Sequence, residues 1–148
     1  MHTILVLGGY GFFGKRIADC LVSEAGIRLL IAGRNLQKAE AACAELGLPR
    51  GNAVLINVHD PAMSSLLRKS GVDTLIHTAG PFQMQDYGVA RVAITAGCNY
   101  IDLADGRQFV AGIAALDGAA KERGVTVILD PAPASNIPTC PSGGANAG

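Results

Sequence analysis

The chain has 148 residues, enough for one domain with a substantial core, and its twelve basic residues balance twelve acidic ones. That balance leaves no net field to attract nucleic acid or an anionic membrane, and no apolar run approaches the roughly 20 residues of a membrane span. Ala, Gly, Leu, Ile and Val dominate and Trp is absent, as in compact α/β proteins with close helix–sheet contacts.

Ile4–Leu7 is a continuous apolar run, the pattern of a strand covered on both faces. It feeds straight into Gly8-Gly9-Tyr10-Gly11-Phe12-Phe13-Gly14. Two fingerprints overlap there. Gly9, Gly11 and Gly14 spell G-x-G-x-x-G, while Gly8, Gly11 and Gly14 spell G-x-x-G-x-x-G. The first glycine turns the chain off the strand, and the next lets backbone N–H groups approach a pyrophosphate. Gly14 lets the following helix pack tightly against the strand. Phosphates at that place would meet N–H groups with no partner inside the helix. An ordinary glycine-rich turn in another α/β domain is the alternative.

A helix is expected from Phe12 to about Ser23, with Phe13, Ile17, Cys20 and Leu21 at helical spacing and Gly26 at its end. Arg28–Ala32 reads as the second strand. Asn35 caps a helix carrying Leu36, Ala39, Ala42, Cys43 and Leu46, stopped by Gly47 and Pro49. Ala53–Val58 is the expected third strand, and Asp60-Pro61 sets a cap and an N1 proline before a short helix ending near Gly71. Asp73–Thr78 is the fourth strand, followed by a helix from about Tyr87 to Ala96 with Gly97 after it. Tyr100–Leu103, a long helix from about Arg107 to Arg123, and Val125–Leu129 complete the pattern.

Six strands with crossover helices fill one three-layer, doubly wound parallel sheet of Rossmann type, for which the right-handed crossover rule favours the order 3-2-1-4-5-6. Residues 1–130 form this unit. Residues 131–148 are proline, glycine and small residues without periodicity, the composition of a linker or disordered tail. Ligands of such sheets bind beyond the carboxyl ends of the strands, at the switch between strands 1 and 4.

An NAD site usually has an Asp or Glu at the end of the second strand, for the ribose 2′-hydroxyl. Gly33-Arg34-Asn35 stands there instead, with Arg34 twenty residues beyond Gly14. An acid would repel a 2′-phosphate, whereas a guanidinium binds it through a charge-assisted fork, so NADP is expected rather than NAD. Arg34 lying only along a loop edge is the plainer reading. Lys38 either adds a second positive charge or is simply solvated. Val58 and Asp60 lie where an adenine ring would rest, although capping alone explains Asp60. At the switch point, Thr78-Ala79-Gly80-Pro81 lets the backbone pass the ribose and nicotinamide. His77 reads as a core histidine within its strand. The cofactor set is therefore Gly8 to Gly14, Arg34, Asn35, Val58, Asp60, Thr78, Ala79, Gly80 and Pro81.

Cys20, Cys43, Cys98 and Cys140 show no C-x-x-C spacing and no accompanying His pair. They read as reduced thiols, no metal site is expected, and Gly8 interrupts any signal-peptide core, so a cytoplasmic protein is expected. The outer strands leave an edge on which another copy could pair, so a homo-oligomer stays open.

Several segments together resemble the N-terminal NAD(P)-binding domain of the saccharopine dehydrogenase-like family. They are Gly8 to Gly14, Gly33-Arg34-Asn35 with Lys38-Ala39, Ala79-Gly80-Pro81-Phe82, Ala96-Gly97-Cys98 and Tyr100-Ile101-Asp102-Leu103. The match runs from about Ile4 to Leu129, and the Ala-Gly-Pro-Phe and Tyr-Ile-Asp-Leu pieces are more specific than the glycines. The resemblance implies a nicotinamide-dependent oxidoreductase. It also implies that Phe82, Tyr87 and Asp102 lie toward the substrate cleft, with no catalytic acid or base assigned.

Members of that family continue into a second α+β domain that supplies most of the substrate pocket. After Ser135-Asn136-Ile137-Pro138 this chain runs on as Thr139-Cys140-Pro141-Ser142-Gly143-Gly144, unlike the family. A small-molecule substrate is therefore expected only if a second domain is supplied, and a cofactor-binding module without activity is a second reading. An atypical short-chain reductase is a third. It lacks its Tyr-x-x-x-Lys pair, because Arg91 follows Tyr87, Gly14 follows Tyr10 and Ala104 follows Tyr100 at that spacing. A hydrolase has no G-x-S-x-G elbow here.

Overall fold

A computed structural model describes residues 1–78, 88–102 and 116–129. The element order is β1 (His2–Leu7), α1 (Phe12–Leu21), β2 (Ile27–Gly33), α2 (Leu36–Glu45), a 3-10 turn (Arg50–Asn52) and β3 (Ala53–Leu55). Then come α3 (Met63–Lys69), β4 (Thr74–His77), α4 (Gly88–Ala96), β5 (Asn99–Asp102), α5 (Asp117–Arg123) and β6 (Val127–Leu129). The six strands form one sheet of order β3-β2-β1-β4-β5-β6. All five neighbouring pairs are parallel, so the expected topology is the observed one.

The central strands are apolar on both faces because both faces are covered. Leu5, Leu7, Leu30 and Leu75 point to the side where Met63 and Leu67 of α3 and Val89, Ala93 and Ile94 of α4 pack. Ile4, Val6, Leu29, Ile31 and Ile76 point the other way, onto Ala18 of α1 and Ala39, Ala42 and Cys43 of α2. Leu5, Val6 and Ile31 have no exposed surface, and each such side chain stabilises the fold by about 1.5–3 kcal/mol. Alanines on α1 and α2 let those helices sit close to the sheet, and because each helix follows directly from a parallel strand its N-terminus lies at the carboxyl edge.

Gly47, Gly71 and Gly97 follow the ends of α2, α3 and α4 as expected. Gly26 does not end α1, which stops at Leu21. Gly26 instead leads into β2, where its carbonyl accepts the His2 N–H at 2.8 Å. β3 is three residues long rather than running to Val58. Asn57 explains this. Its side chain accepts the His59 N–H at 3.0 Å and its carbonyl accepts the Asp60 N–H at 2.9 Å, turning the chain off the sheet. The N-cap of α3 is Ala62, not Asp60. The Asp60 carboxylate accepts the Ala62 N–H at 2.9 Å, so it closes the turn that enters the helix. Ala79, Gly80, Pro81, Phe82, Tyr87, Leu103, the first part of the expected last helix and the tail beyond 130 lie outside the described residues.

Candidate functional site

β1 ends at Leu7, and the chain turns at Gly8 with φ 84°, a left-handed conformation that side-chain-bearing residues resist. The turn is held to β2, since Gly8 N–H donates to the Ala32 carbonyl at 2.8 Å. Gly11 N–H then donates to the Gly8 carbonyl at 2.9 Å, curling the loop into a cradle. Gly14 sits on the floor of that cradle. A Cβ there would overlap the Gly8 carbonyl oxygen and lie 2.8 Å from both the Gly8 carbonyl carbon and the Gly9 Cα. So Gly14 permits close packing of α1 against the loop that follows β1.

Gly11 is the N-cap of α1, and no side chain caps it. The first turn holds no acidic residue, so the positive end of the helix dipole carries no counter-charge of its own. A pyrophosphate fits such a place. Phe12 beside it is 74% exposed, and the Arg16 guanidinium lies 5.7 Å from its ring centre. Phe13 is half-buried and meets Phe12 edge to face, with ring centres 5.0 Å apart.

At the end of β2, Gly33 is buried while Arg34 and Asn35 are exposed. Asn35 is the N-cap of α2, its side chain accepting the Lys38 N–H at 3.0 Å. The first turn of α2 likewise lacks an acid. Among the described residues, neither the Arg34 nor the Lys38 side chain has an ion-pair partner. Tyr10 reaches across from the glycine loop, and its hydroxyl accepts the Asn35 N–H at 3.1 Å. Sequence reasoning missed this contact, because it joins residues 25 positions apart.

Val58 packs half-buried against the core, and Asp60 is exposed with one carboxylate oxygen engaged in its turn. Thr78 clamps the switch point. Its hydroxyl and its N–H both go to the Leu7 carbonyl, at 2.7 and 2.9 Å. That oxygen is thereby fixed beside the cradle.

Below the same edge lies a buried polar triad that sequence reasoning did not assemble. His77 and Asp102 pair in register across β4 and β5, and Tyr100 lies two residues before Asp102 on the same face. The Tyr100 hydroxyl donates to Asp102 Oδ2 in a very short hydrogen bond and lies 2.9 Å from His77 Nδ1. Asp102, placed toward the cleft by the resemblance, has no exposed surface, and His77 is 1% exposed. Among the described residues, Asp102 Oδ1 has no hydrogen-bond partner. Burial first, then the neighbouring Asp102 carboxylate, pushes the Tyr100 phenol well above its ordinary range, so it remains a donor. Strand alternation alone would have put Tyr100 and Asp102 on one face.

A doubly wound parallel sheet, a glycine cradle at an uncapped helix N-terminus and a cationic step after β2 define a dinucleotide-binding domain. The saccharopine dehydrogenase NADP binding domain matches residues 4–128, and the chain belongs to that family. Its cofactor is therefore NADP, and the short-chain reductase alternative falls away. No curated protein matches the chain.

Among solved structures, apo saccharopine dehydrogenase (L-Glu forming) from Saccharomyces cerevisiae superposes with a TM-score of 0.71 at 22% identity. That match covers 87% of this chain and 27% of that one. UDP-N-acetylglucosamine 3-dehydrogenase from Acidithiobacillus ferrooxidans gives 0.63 at 24% identity, covering 87% of this chain and 37% of that one. Biliverdin reductase from Synechocystis, solved with biliverdin and NADP+, gives 0.60 at 16% identity, covering 87% and 37%. At these identities the likeness shows the fold alone. The chain spans well under half the length of each of these structures.

Proposed function

We propose that this chain holds NADP(H) across the carboxyl edge of its sheet as the cofactor-binding part of an oxidoreductase. In this reading the pyrophosphate lies on the Gly8 to Gly14 cradle and the 2′-phosphate beside Arg34 and Asn35. The adenine rests near Val58 and Asp60, and the nicotinamide half runs past Thr78 toward Ala79, Gly80 and Pro81. The observation that carries it is the Arg34 step: an exposed guanidinium without an ion pair among the described residues, where an NAD site has an acid. When bound, the nicotinamide supplies hydride transfer, and the protein supplies orientation and charge. Phe82, Tyr87 and other groups beyond the described residues would face a substrate.

A second reading keeps the binding and drops the chemistry. It is favoured by the enclosure of His77, Tyr100 and Asp102, at most 1% exposed and so closed to a substrate. A partner domain would then bring the small-molecule substrate. We also propose a cytoplasmic location, which the free thiols of the buried Cys43 and Cys98 support.

Titration of the chain with NADPH and NADH, followed by cofactor fluorescence, tests the site. Arg34→Ala should weaken NADPH by roughly tenfold or more and leave NADH nearly unchanged, because only NADPH carries the 2′-phosphate. Equal losses for both would remove Arg34 from the phosphate. Turnover of NADPH with an imine or keto acid by the chain alone would overturn the module reading.

A further inference from the structure

We propose that the Tyr10 hydroxyl is a direct donor to the ribose 2′-phosphate, and so sets cofactor specificity together with Arg34. This rests on the NADP reading of the site and adds a ligand that its fingerprints do not contain, since the glycine motif uses backbone at this position.

The placement of Tyr10 is built from two sides. Gly33, the last residue of β2, has no side chain, and a Cβ there would overlap the Tyr10 ring and hydroxyl, with the ring carbon Cζ only 2.6 Å away. Gly33 is thus the slot in which the phenol lies. The Asn35 N–H then holds the oxygen from the other side at 3.1 Å. The peptide carrying that N–H joins Arg34 to Asn35, so the phenol oxygen lies against the backbone of the guanidinium-bearing residue. The ring remains only half-buried.

A phenol oxygen accepts and donates at once. Here Asn35 fills the accepting role, and among the described residues no acceptor takes the Tyr10 proton. The hydroxyl is therefore held with its donor side unspent, against the Arg34–Asn35 peptide and at the start of a helix without an acid in its first turn. A phosphate dianion offers only acceptors and matches that donor. A ribose 2′-hydroxyl can supply its own proton elsewhere and gains less.

The test uses isothermal titration of the full chain with adenosine 2′,5′-bisphosphate and with 5′-AMP, which differ only by the 2′-phosphate. Tyr10→Phe keeps the ring in the Gly33 slot and removes the donor. It should weaken the bisphosphate about tenfold and change 5′-AMP by less than about twofold, as loss of one charge-assisted hydrogen bond requires. Gly33→Ala, which forces the ring out of its slot, should give the same selective loss, and the double variant should lose little more than either single one. Equal losses for both nucleotides, or none, overturn the proposal. If Arg34→Ala abolishes the preference for the bisphosphate while Tyr10→Phe preserves it, Tyr10 alone is wrong and the NADP site stands. If neither change affects the preference, both readings fail.

Discussion

Tyr100→Phe removes a single oxygen from a fully enclosed polar contact, and the structure sets the size of the effect. The hydroxyl donates to the Asp102 carboxylate and lies 2.9 Å from His77 Nδ1. With it gone, His77 Nδ1 and Asp102 Oδ2 are 3.7 Å apart, beyond a good hydrogen bond. Water cannot replace the lost partner without opening the core, because Asp102 and Tyr100 are 0% exposed. A hydrogen bond to a charged group contributes about 1.5–3 kcal/mol, and a buried group left unsatisfied costs about 1–3 kcal/mol. The two descriptions overlap, so the expected loss is about 3 kcal/mol, a large share of the roughly 5–15 kcal/mol that stabilises a domain. Urea unfolding followed by circular dichroism should show a lower midpoint with an unchanged slope, and a melting temperature lower by about 10 °C. Asp102→Leu supplies the second arm of a double-mutant cycle. Once the carboxylate is gone, Tyr100→Phe should cost at least about 1 kcal/mol less than in the parent. Simple additivity, or a single-mutant loss below about 1 kcal/mol, would refute the coupled triad.

The glycine cradle predicts that Gly14→Ala pushes α1 away from the loop, since its methyl meets the Gly8 carbonyl carbon and Gly9 Cα at 2.8 Å. The cost should be about 1–3 kcal/mol, and NADPH titration should show a loss of more than about tenfold. Unchanged binding would contradict the cradle. The buried thiols predict an alkaline limit. Burial, with a smaller effect from Asp73, pushes Cys98 up from its ordinary 9.0 to about 11. Tyr100 is displaced in the same direction. Both are acids held neutral in the folded state, so their contribution is full below pH 9 and is lost as pH rises through the folded values. Stability should therefore fall between pH 9 and 11, by about 2 kcal/mol for Cys98, and Cys98→Ala should flatten that limb. A flat profile for the parent chain over this range would contradict it. Cys43 and Cys98 are 0% exposed, so a thiol reagent at pH 8 should label them at the rate of unfolding. Immediate labelling of either would contradict their burial.

What could be read without coordinates follows the range of each interaction. Strand order was legible because doubly apolar strands alternate with amphipathic helices, and the crossover rule leaves few topologies. The turns at Gly8 and Gly14 and the Asn35 cap were legible because each is local to one turn. The end of β3 was not. Residues 53 to 58 look uniformly strand-like, and the Asn57 side chain decides otherwise by offering the backbone a turn. Asp60 was assigned to a helix end and serves the turn ahead of it, a shift of two residues that capping propensity does not resolve. Asp102 was placed by likeness to relatives, whereas its neighbour two residues back holds it inside. Tyr10 looked like one member of a glycine loop, and its contact with Asn35 exists only because β1 and β2 lie side by side.

The turn at Asn57 also limits the margin that the sheet offers to another strand. β3 forms one margin of the sheet, and it presents three residues, with Leu55 55% exposed among them. A foreign extended segment seeking to lengthen the sheet there would find too short a ladder to repay the entropy of its own ordering. By turning the chain away after Ile56, the Asn57 side chain keeps that outermost strand short.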